Sequence, residues 1–217
     1  QPSDDQTVAS ARVAGKSLMD WVRYDIASSA RMWPAVATQL KKIMLQLIRA
    51  VRFLHDHNIA HRDIKLSHVM WSMESETLTL MDFGSACCES DMCDVSCNRF
   101  VETKGYTDPL MHKIRGRRNF TVDDWKQSDI FAIGVILYVL FARNNWTQEL
   151  FEQYLPEIQM SANLYHYYPD LPLHDNDPSR IAYNAYRRFM EGNNDLVKTV
   201  RGLTSTTQTG WTLDEAE

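Results

Sequence analysis

The residues best equipped for chemistry fall between positions 61 and 84. His61, Arg62 and Asp63 are consecutive, Lys65 and His68 follow within five positions, and Asp82, Phe83 and Gly84 stand further on. Carboxylate, imidazole and ammonium groups at such density suit proton transfer and the neutralising of anionic charge. One at a time they say little, since a single carboxylate such as Asp63 is most often a solvated loop residue. Their joint order, two short motifs with a patterned hairpin between them, is a strong signal. A second cluster is made of sulfur: Cys87, Cys88, Cys93 and Cys97 are all the cysteines of the chain. Zinc sites usually show paired Cys-x2-Cys steps, and this spacing is irregular. Zinc, a disulfide or redox role, and a plain loop all stay open.

Around these groups the apolar pattern sets the elements. Ser17 before Leu18-Met19-Asp20-Trp21-Val22 reads as a capped short helix. Beyond Pro34, the residues Val36, Leu40, Ile43, Leu47, Val51 and Leu54 step by four or three, the period of an amphipathic helix. Lys41, Lys42, Arg49 and Arg52 fall off that stripe. The helix should stop near His57-Asn58, because Asn tolerates the left-handed conformation of a helix end. Short strands are expected over 69–72 and 78–81, joined by the polar turn Met73-Glu74-Ser75-Glu76. Residues 84–109 show no period and read as a long functional loop, with 84–102 expected to be mobile or held by its cysteines and to have no core role. Asp129 opens a helix through 142 that is apolar on every face and must be surrounded by protein. Helical patterns return at 182–190 and 195–200, and Pro156, Pro169, Pro172 and Pro178 punctuate the loops. Tyr165, Tyr167 and Tyr168 read as packing and surface residues.

Composition narrows the classes of function. Lys plus Arg number 23 against 28 Asp plus Glu, a formal net charge of −5 over 217 residues. A mildly acidic chain lacks the basic footprint of a nucleic-acid binder. The longest apolar run, 130–142, falls short of the roughly 20 residues that span a bilayer, so no membrane span is expected. Residues 1–5 are polar and show no signal-peptide core. Cysteines gathered in one stretch, not spread as staples, point to a reduced protein in an intracellular, cytoplasmic setting. Asn119-Phe120-Thr121 and Asn145-Trp146-Thr147 match the glycosylation triplet, which is common by chance.

With both motifs in place, the chain resembles the C-terminal lobe of the eukaryotic-type serine/threonine protein kinases. Leu54-His55-Asp56-His57-Asn58-Ile59-Ala60 is similar to the approach to the kinase catalytic loop. Thr103-Lys104-Gly105-Tyr106-Thr107-Asp108-Pro109 resembles the end of an activation segment, and Ser128 to Tyr138 the buried central helix. Gly210-Trp211-Thr212-Leu213 resembles the start of the last helix, and Gly15 to Val22 the hinge exit. The resemblance implies a mainly α fold with a short β-hairpin carrying the catalytic and metal-binding loops. Residues 1–16 would be a hinge-like remnant. Residues 17–217 would be the lobe, with catalytic loop 61–70, activation segment 82–110 and central helix 129–142. It also implies roles. Asp63 would orient the substrate hydroxyl and accept its proton, Lys65 would neutralise the transferring phosphoryl group, and Thr103 would bridge the two. Asp82 would hold magnesium, with His68 at the second cofactor-binding position. Arg62 would bind a phosphorylated activation-segment residue, while His61, Phe83, Gly84 and Asp129 would be structural.

The sequence also departs from that family. His68 stands where the family has the Asn that binds the second metal, and imidazole suits zinc or copper better than magnesium. Leu110 replaces a Glu that normally pairs with an Arg, and the Arg position is Gly210. Only about 15 residues precede the hinge-like Gly15, and they hold no glycine-rich loop and no nucleotide-contacting Lys. The expectation is either a piece of a longer kinase or a one-lobed relative. ATP and magnesium are then expected only where an N-terminal lobe is supplied. The expected partner is a protein, as phosphoryl acceptor or, for a pseudokinase, as bound partner.

Overall fold

The computed structural model describes residues 15–25, 33–88, 96–143, 147–167, 178–192 and 194–205. The hinge-like residues 1–14, Cys93, Asn145, Tyr168, Pro169, Pro172, Gly210 and the helix expected there lie outside these residues.

The described chain begins with β1 (Lys16–Ser17) and α1 (Leu18–Asp20), which runs into a π-helical turn over Trp21–Asp25. Ser17 caps α1 by accepting the Asp20 N–H at 3.1 Å. Gly15 has φ +109°, and a Cβ there would collide with the Trp71 carbonyl oxygen. Only glycine lets β1 lie this close to the hairpin. Next comes α2 (Trp33–Asp56), whose residues Leu40, Ile43, Leu47 and Val51 are buried along one stripe. Asn58 ends it with φ 56°, in the left-handed region.

The chain then forms β2 (Ile59–Ala60), a 3-10 turn at Leu66–His68, β3 (Val69–Ser72) and β4 (Thr77–Leu80). β3 and β4 pair antiparallel from Val69↔Leu80 to Ser72↔Thr77, one residue earlier on the second strand than the 78–81 expected. β1 adds to the other edge of β3 through Lys16↔Trp71. A further strand, β5 (Cys87–Cys88), pairs antiparallel with β2 through Ile59↔Cys88 and Ala60↔Cys87.

The remainder is helical: α3 (Pro109–Ile114), α4 (Val122–Ala142), α5 (Gln148–Tyr167), α6 (Pro178–Met190) and α7 (Asp195–Leu203). α4 starts seven residues before Asp129. Thr121 and Asp124 form a reciprocal capping box there, and the polar first turns still bury Trp125. α4 is long and apolar enough to cross a membrane, but 78% of that stretch is buried among the other elements. Pro156 lies inside α5, not in a loop. Burial of Phe151, Leu155, Ile158 and Ala162 on one face outweighs the missing N–H.

The main core gathers α1, α2, α4, α5, α6 and α7 around Ile133, Val135 and Ile136. A second core holds Ala60, Cys87, Met111, Ile114, Phe120, Val122 and Trp125, with Cys97, Phe100, Val101 and Leu110 against it. This corrects two expectations. The segment after Gly84 carries a strand and core residues, because backbone pairing with β2 draws Cys87 inward. Its cysteines are also not reduced: Cys87 and Cys97 form a disulfide with Cα atoms 5.2 Å apart, and no described cysteine is free.

Candidate active site

The site begins where α2 ends. The left-handed Asn58 turns the chain into β2, and the next residues cross beneath α4. There Asp129, 1% exposed, accepts the Arg62 N–H on Oδ1 at 2.8 Å and the His61 N–H on Oδ2 at 2.7 Å. His55 Nε2 lies 3.1 Å from the same Oδ2. One buried carboxylate thereby clamps two successive backbone amides and the last turn of α2. Buried polar groups persist when partnered in this way. Sequence reading assigned Asp129 a structural place but missed His55, whose partner lies 74 positions away.

Held by that clamp, His61 is fully buried. Its Nε2 faces the Met81 carbonyl at 3.0 Å, and its Nδ1 faces the Asp63 N–H at 3.3 Å. A carbonyl only accepts, so Nε2 carries the proton and Nδ1 accepts. Burial lowers the His61 pKa, which keeps the ring in this neutral form. His61 therefore ties the catalytic-loop candidate to the end of the hairpin, and the Phe83 ring lies 4.8 Å from it.

The Asp63 carboxylate is then fixed from two sides. Thr103 Oγ1 donates to Oδ1 at 2.5 Å, and Lys65 Nζ donates to Oδ2 at 2.9 Å. Thr103 is itself held: its N–H donates to Thr107 Oγ1 at 3.0 Å. His68 stands across from Lys65. Its Nδ1 is 3.0 Å from the Asp63 carbonyl oxygen and its Nε2 is 3.3 Å from Asp82 Oδ2. Asp82 accepts the Gly84 N–H at 3.3 Å and its side chain is 56% exposed. Asp63, His68 and Asp82 bring ligand-type atoms within 4.8 Å of one another. Arg62 and Asp82 both have left-handed backbones, with φ 70° and 62°. Non-glycine residues held there cost about 1–3 kcal/mol each and concentrate at functional sites.

Arg62 points away from this group into the second core, 5% exposed. Nη1 donates to the Ser96 carbonyl at 3.0 Å and the guanidinium lies 4.7 Å above the Trp125 ring. Nε and Nη2 are buried and find no hydrogen-bond acceptor among the described residues. Burial first, and the Arg99 charge second, bring the Arg62 pKa down to about 10, so it stays cationic at neutral pH. Of the expected residues, the structure thus joins Asp63, Lys65, Thr103, His68 and Asp82 in one place. Asp129, His61 and Phe83 support it from behind, and Gly84 braces Asp82. Arg62 lies apart, behind the catalytic-loop backbone. Leu110 sits at the start of α3, its N–H capped by Asp108 Oδ1 at 2.8 Å.

Comparison with known proteins finds relatives among the serine/threonine-protein kinases. The meiosis-specific serine/threonine-protein kinase mek1 of Schizosaccharomyces pombe is 33% identical over 110 residues, 48% of this chain and 24% of that protein. Serine/threonine-protein kinase ELM1 of Saccharomyces cerevisiae is 30% identical over 141 residues, 56% of this chain and 22% of that protein. Serine/threonine-protein kinase ksp1 of Schizosaccharomyces pombe is 26% identical over 191 residues, 82% of this chain and 36% of that protein. The chain thus spans about a quarter to a third of the length of these relatives. The protein kinase domain family matches residues 3–200, nearly the whole chain, and the chain belongs to that family.

Proposed function

We propose that this chain is the substrate-side, C-terminal lobe of a serine/threonine protein kinase, and that it transfers phosphate from ATP to protein hydroxyls when an N-terminal lobe is present. The observation that carries the reading is Asp63, held between the Thr103 hydroxyl and the Lys65 ammonium. A carboxylate so fixed takes the proton of a serine or threonine hydroxyl as that oxygen attacks the terminal phosphorus of ATP. The bond from that phosphorus to the bridging oxygen breaks and ADP leaves. Lys65, beside Asp63, offsets charge on the phosphoryl group in flight, and Thr103 keeps Asp63 from rotating. A divalent ion, when bound, offsets phosphate charge, and the Asp82 carboxylate is oriented and open enough to hold it. Arg62, whose Nε and Nη2 have no acceptor among the described residues, fits a phosphorylated residue of the activation segment. The reading includes an intracellular, cytoplasmic location; disulfides are uncommon there, and burial of Cys87 limits the access of reductants to the Cys87–Cys97 bond.

His68 favours a second reading. A nitrogen ligand where the family has an oxygen ligand fits a pseudokinase that uses the lobe to bind a protein partner. Phosphate incorporation into a serine/threonine peptide library, by a version of the protein that includes an N-terminal lobe, separates the two. Transfer that falls by about 10²–10⁴-fold in Asp63→Asn supports the kinase reading. No transfer above the Asp63→Asn background supports the pseudokinase.

A further inference from the structure

The geometry points to His68 and Asp82 as a binding site for a nitrogen-preferring first-row divalent ion, of the Zn²⁺ and Co²⁺ class, in preference to Mg²⁺. The inference deepens the kinase reading and rests on it for the nucleotide that would complete the ion's shell. Its starting point is a proton. His68 Nδ1 lies 3.0 Å from the Asp63 carbonyl oxygen, which can only accept, so Nδ1 carries the hydrogen. In the neutral ring the lone pair then sits on Nε2. Asp82 Oδ2, another acceptor, lies 3.3 Å from Nε2. Two acceptors at this distance are held together by positive charge, either a second ring proton or a metal ion.

Three features make a metal ion the fitting cation. The first is spacing. Donors roughly 2.0–2.2 Å from an ion, at tetrahedral or octahedral angles, stand roughly 3–3.5 Å apart. The observed 3.3 Å falls within that range. The second is support behind each ligand. A metal-ligating His characteristically donates its other N–H to a carbonyl, as His68 does to Asp63, and Gly84 N–H steadies the Asp82 carboxylate. The third is the donor set. Mg²⁺ asks for oxygen and parts with its waters reluctantly, whereas imidazole suits the later first-row ions. Asp63 is not counted as a ligand, because Thr103 and Lys65 already occupy its oxygens. Two protein ligands leave the rest of the shell open for water or phosphate oxygen.

The test is Co²⁺ binding to the intact chain without nucleotide, read by visible absorption and by competition. The expected result is a Co²⁺ spectrum with nitrogen ligation that Zn²⁺ displaces and a large excess of Mg²⁺ does not. Loss of the spectrum is expected in His68→Asn and in Asp82→Asn, each melting at the parent temperature. His112→Ala serves as control, because the described residues also set His112 Nε2 3.2 Å from Glu102 Oε1, a second exposed imidazole–carboxylate pair. A spectrum that survives His68→Asn, disappears in His112→Ala, or yields to Mg²⁺ as readily as to Zn²⁺ overturns the inference. Its failure is separable from that of the kinase reading. Peptide phosphorylation with Mg²⁺ but no Co²⁺ ligation defeats the metal site alone. Co²⁺ ligation at His68 without phosphorylation leaves the metal site standing and defeats the kinase.

Discussion

Replacing Asp129 with alanine tests the clamp under the catalytic-loop candidate. Asp129 accepts the His61 and Arg62 N–H groups at 2.7 and 2.8 Å and faces His55 Nε2 at 3.1 Å. Alanine leaves both amides buried without an acceptor. Each orphaned buried donor costs about 1–3 kcal/mol, so the two together cost about 2–6 kcal/mol. The lost His55 contact adds to this, and a water entering the vacated space would offset part of it. A loss near the middle of that range is expected in urea unfolding, read from the shift in midpoint at unchanged slope. Asp129→Asn should lose less than alanine, because its carbonyl still serves one amide while its NH₂ faces the other. On the proposed kinase reading, in a version that carries an N-terminal lobe, Asp129→Ala should lower phosphoryl transfer more than peptide binding, because the slackened backbone is the one that carries Asp63. If Asp129→Ala unfolds within 1 kcal/mol of the parent, the clamp is not holding this loop and the reasoning fails.

Three further outcomes follow from other parts of the fold. In Gly134→Ala the new Cβ would sit 2.6 Å from Thr204 Cγ2 and 2.9 Å from Leu203 Cβ. A loss of about 1–3 kcal/mol is expected by thermal melting, and a gain in stability would refute the close packing of α7 on α4. Cys87→Ser removes a crosslink that closes a loop of sequence separation 10 and should cost about 3 kcal/mol. A parent whose unfolding is unchanged by dithiothreitol would refute that disulfide. Asp108 is buried with Oδ2 lacking a partner among the described residues, and burial pushes its pKa up to about 7 from the ordinary value of 3.8. Its contribution to stability is therefore fully present below about pH 4 and is lost as pH rises through 7, since the unfolded chain ionises first. Asp108→Asn should flatten the pH dependence of unfolding over that interval; an unchanged profile would place the dependence elsewhere.

The parts legible in sequence are those that local pattern determines. The stripe from Leu40 to Val51 specifies the buried face of α2, and Asn58 specifies its end through a backbone region open to few residues. Ser17 and the hairpin turn act over two to four positions in the same way. What escaped is non-local or masked by polarity. The first turns of α4 carry Asp123, Asp124, Lys126 and Gln127, which hide the buried Trp125 between them. β5 is two residues long, and only its pairing with β2, nearly thirty positions earlier, makes it a strand. The disulfide depends on that same pairing. Pro156 reads as a breaker until the buried face of α5 is known. At the candidate site the motifs were legible as types, yet His55, Thr107 and the placement of Arg62 in the second core required the folded chain.

Leu110 shows how a departure from the family pattern can leave the candidate site intact. By resemblance a Glu and a distant Arg would make an ion pair at this place. Here Leu110 packs against the second core beside Phe100, Phe120 and Trp125. Exchanging a buried ion pair for apolar packing is often neutral or stabilising, whereas losing one partner alone is not. The question is whether the end of the segment still holds Thr103 against Asp63. It does so by other means. Asp108 N–H donates to Ser128 Oγ at 3.1 Å, Asn163 Nδ2 donates to the Thr107 carbonyl at 2.9 Å, and Gln159 Nε2 donates to Tyr106 Oη at 2.8 Å. These bonds anchor three consecutive residues to α4 and α5, so the Thr103 hydroxyl reaches Asp63 Oδ1 at 2.5 Å without an ion pair behind it. The departure at Leu110 therefore bears on the stability of the second core. The departure at His68 changes an atom that faces Asp82 directly, so a change in chemistry would have to begin there.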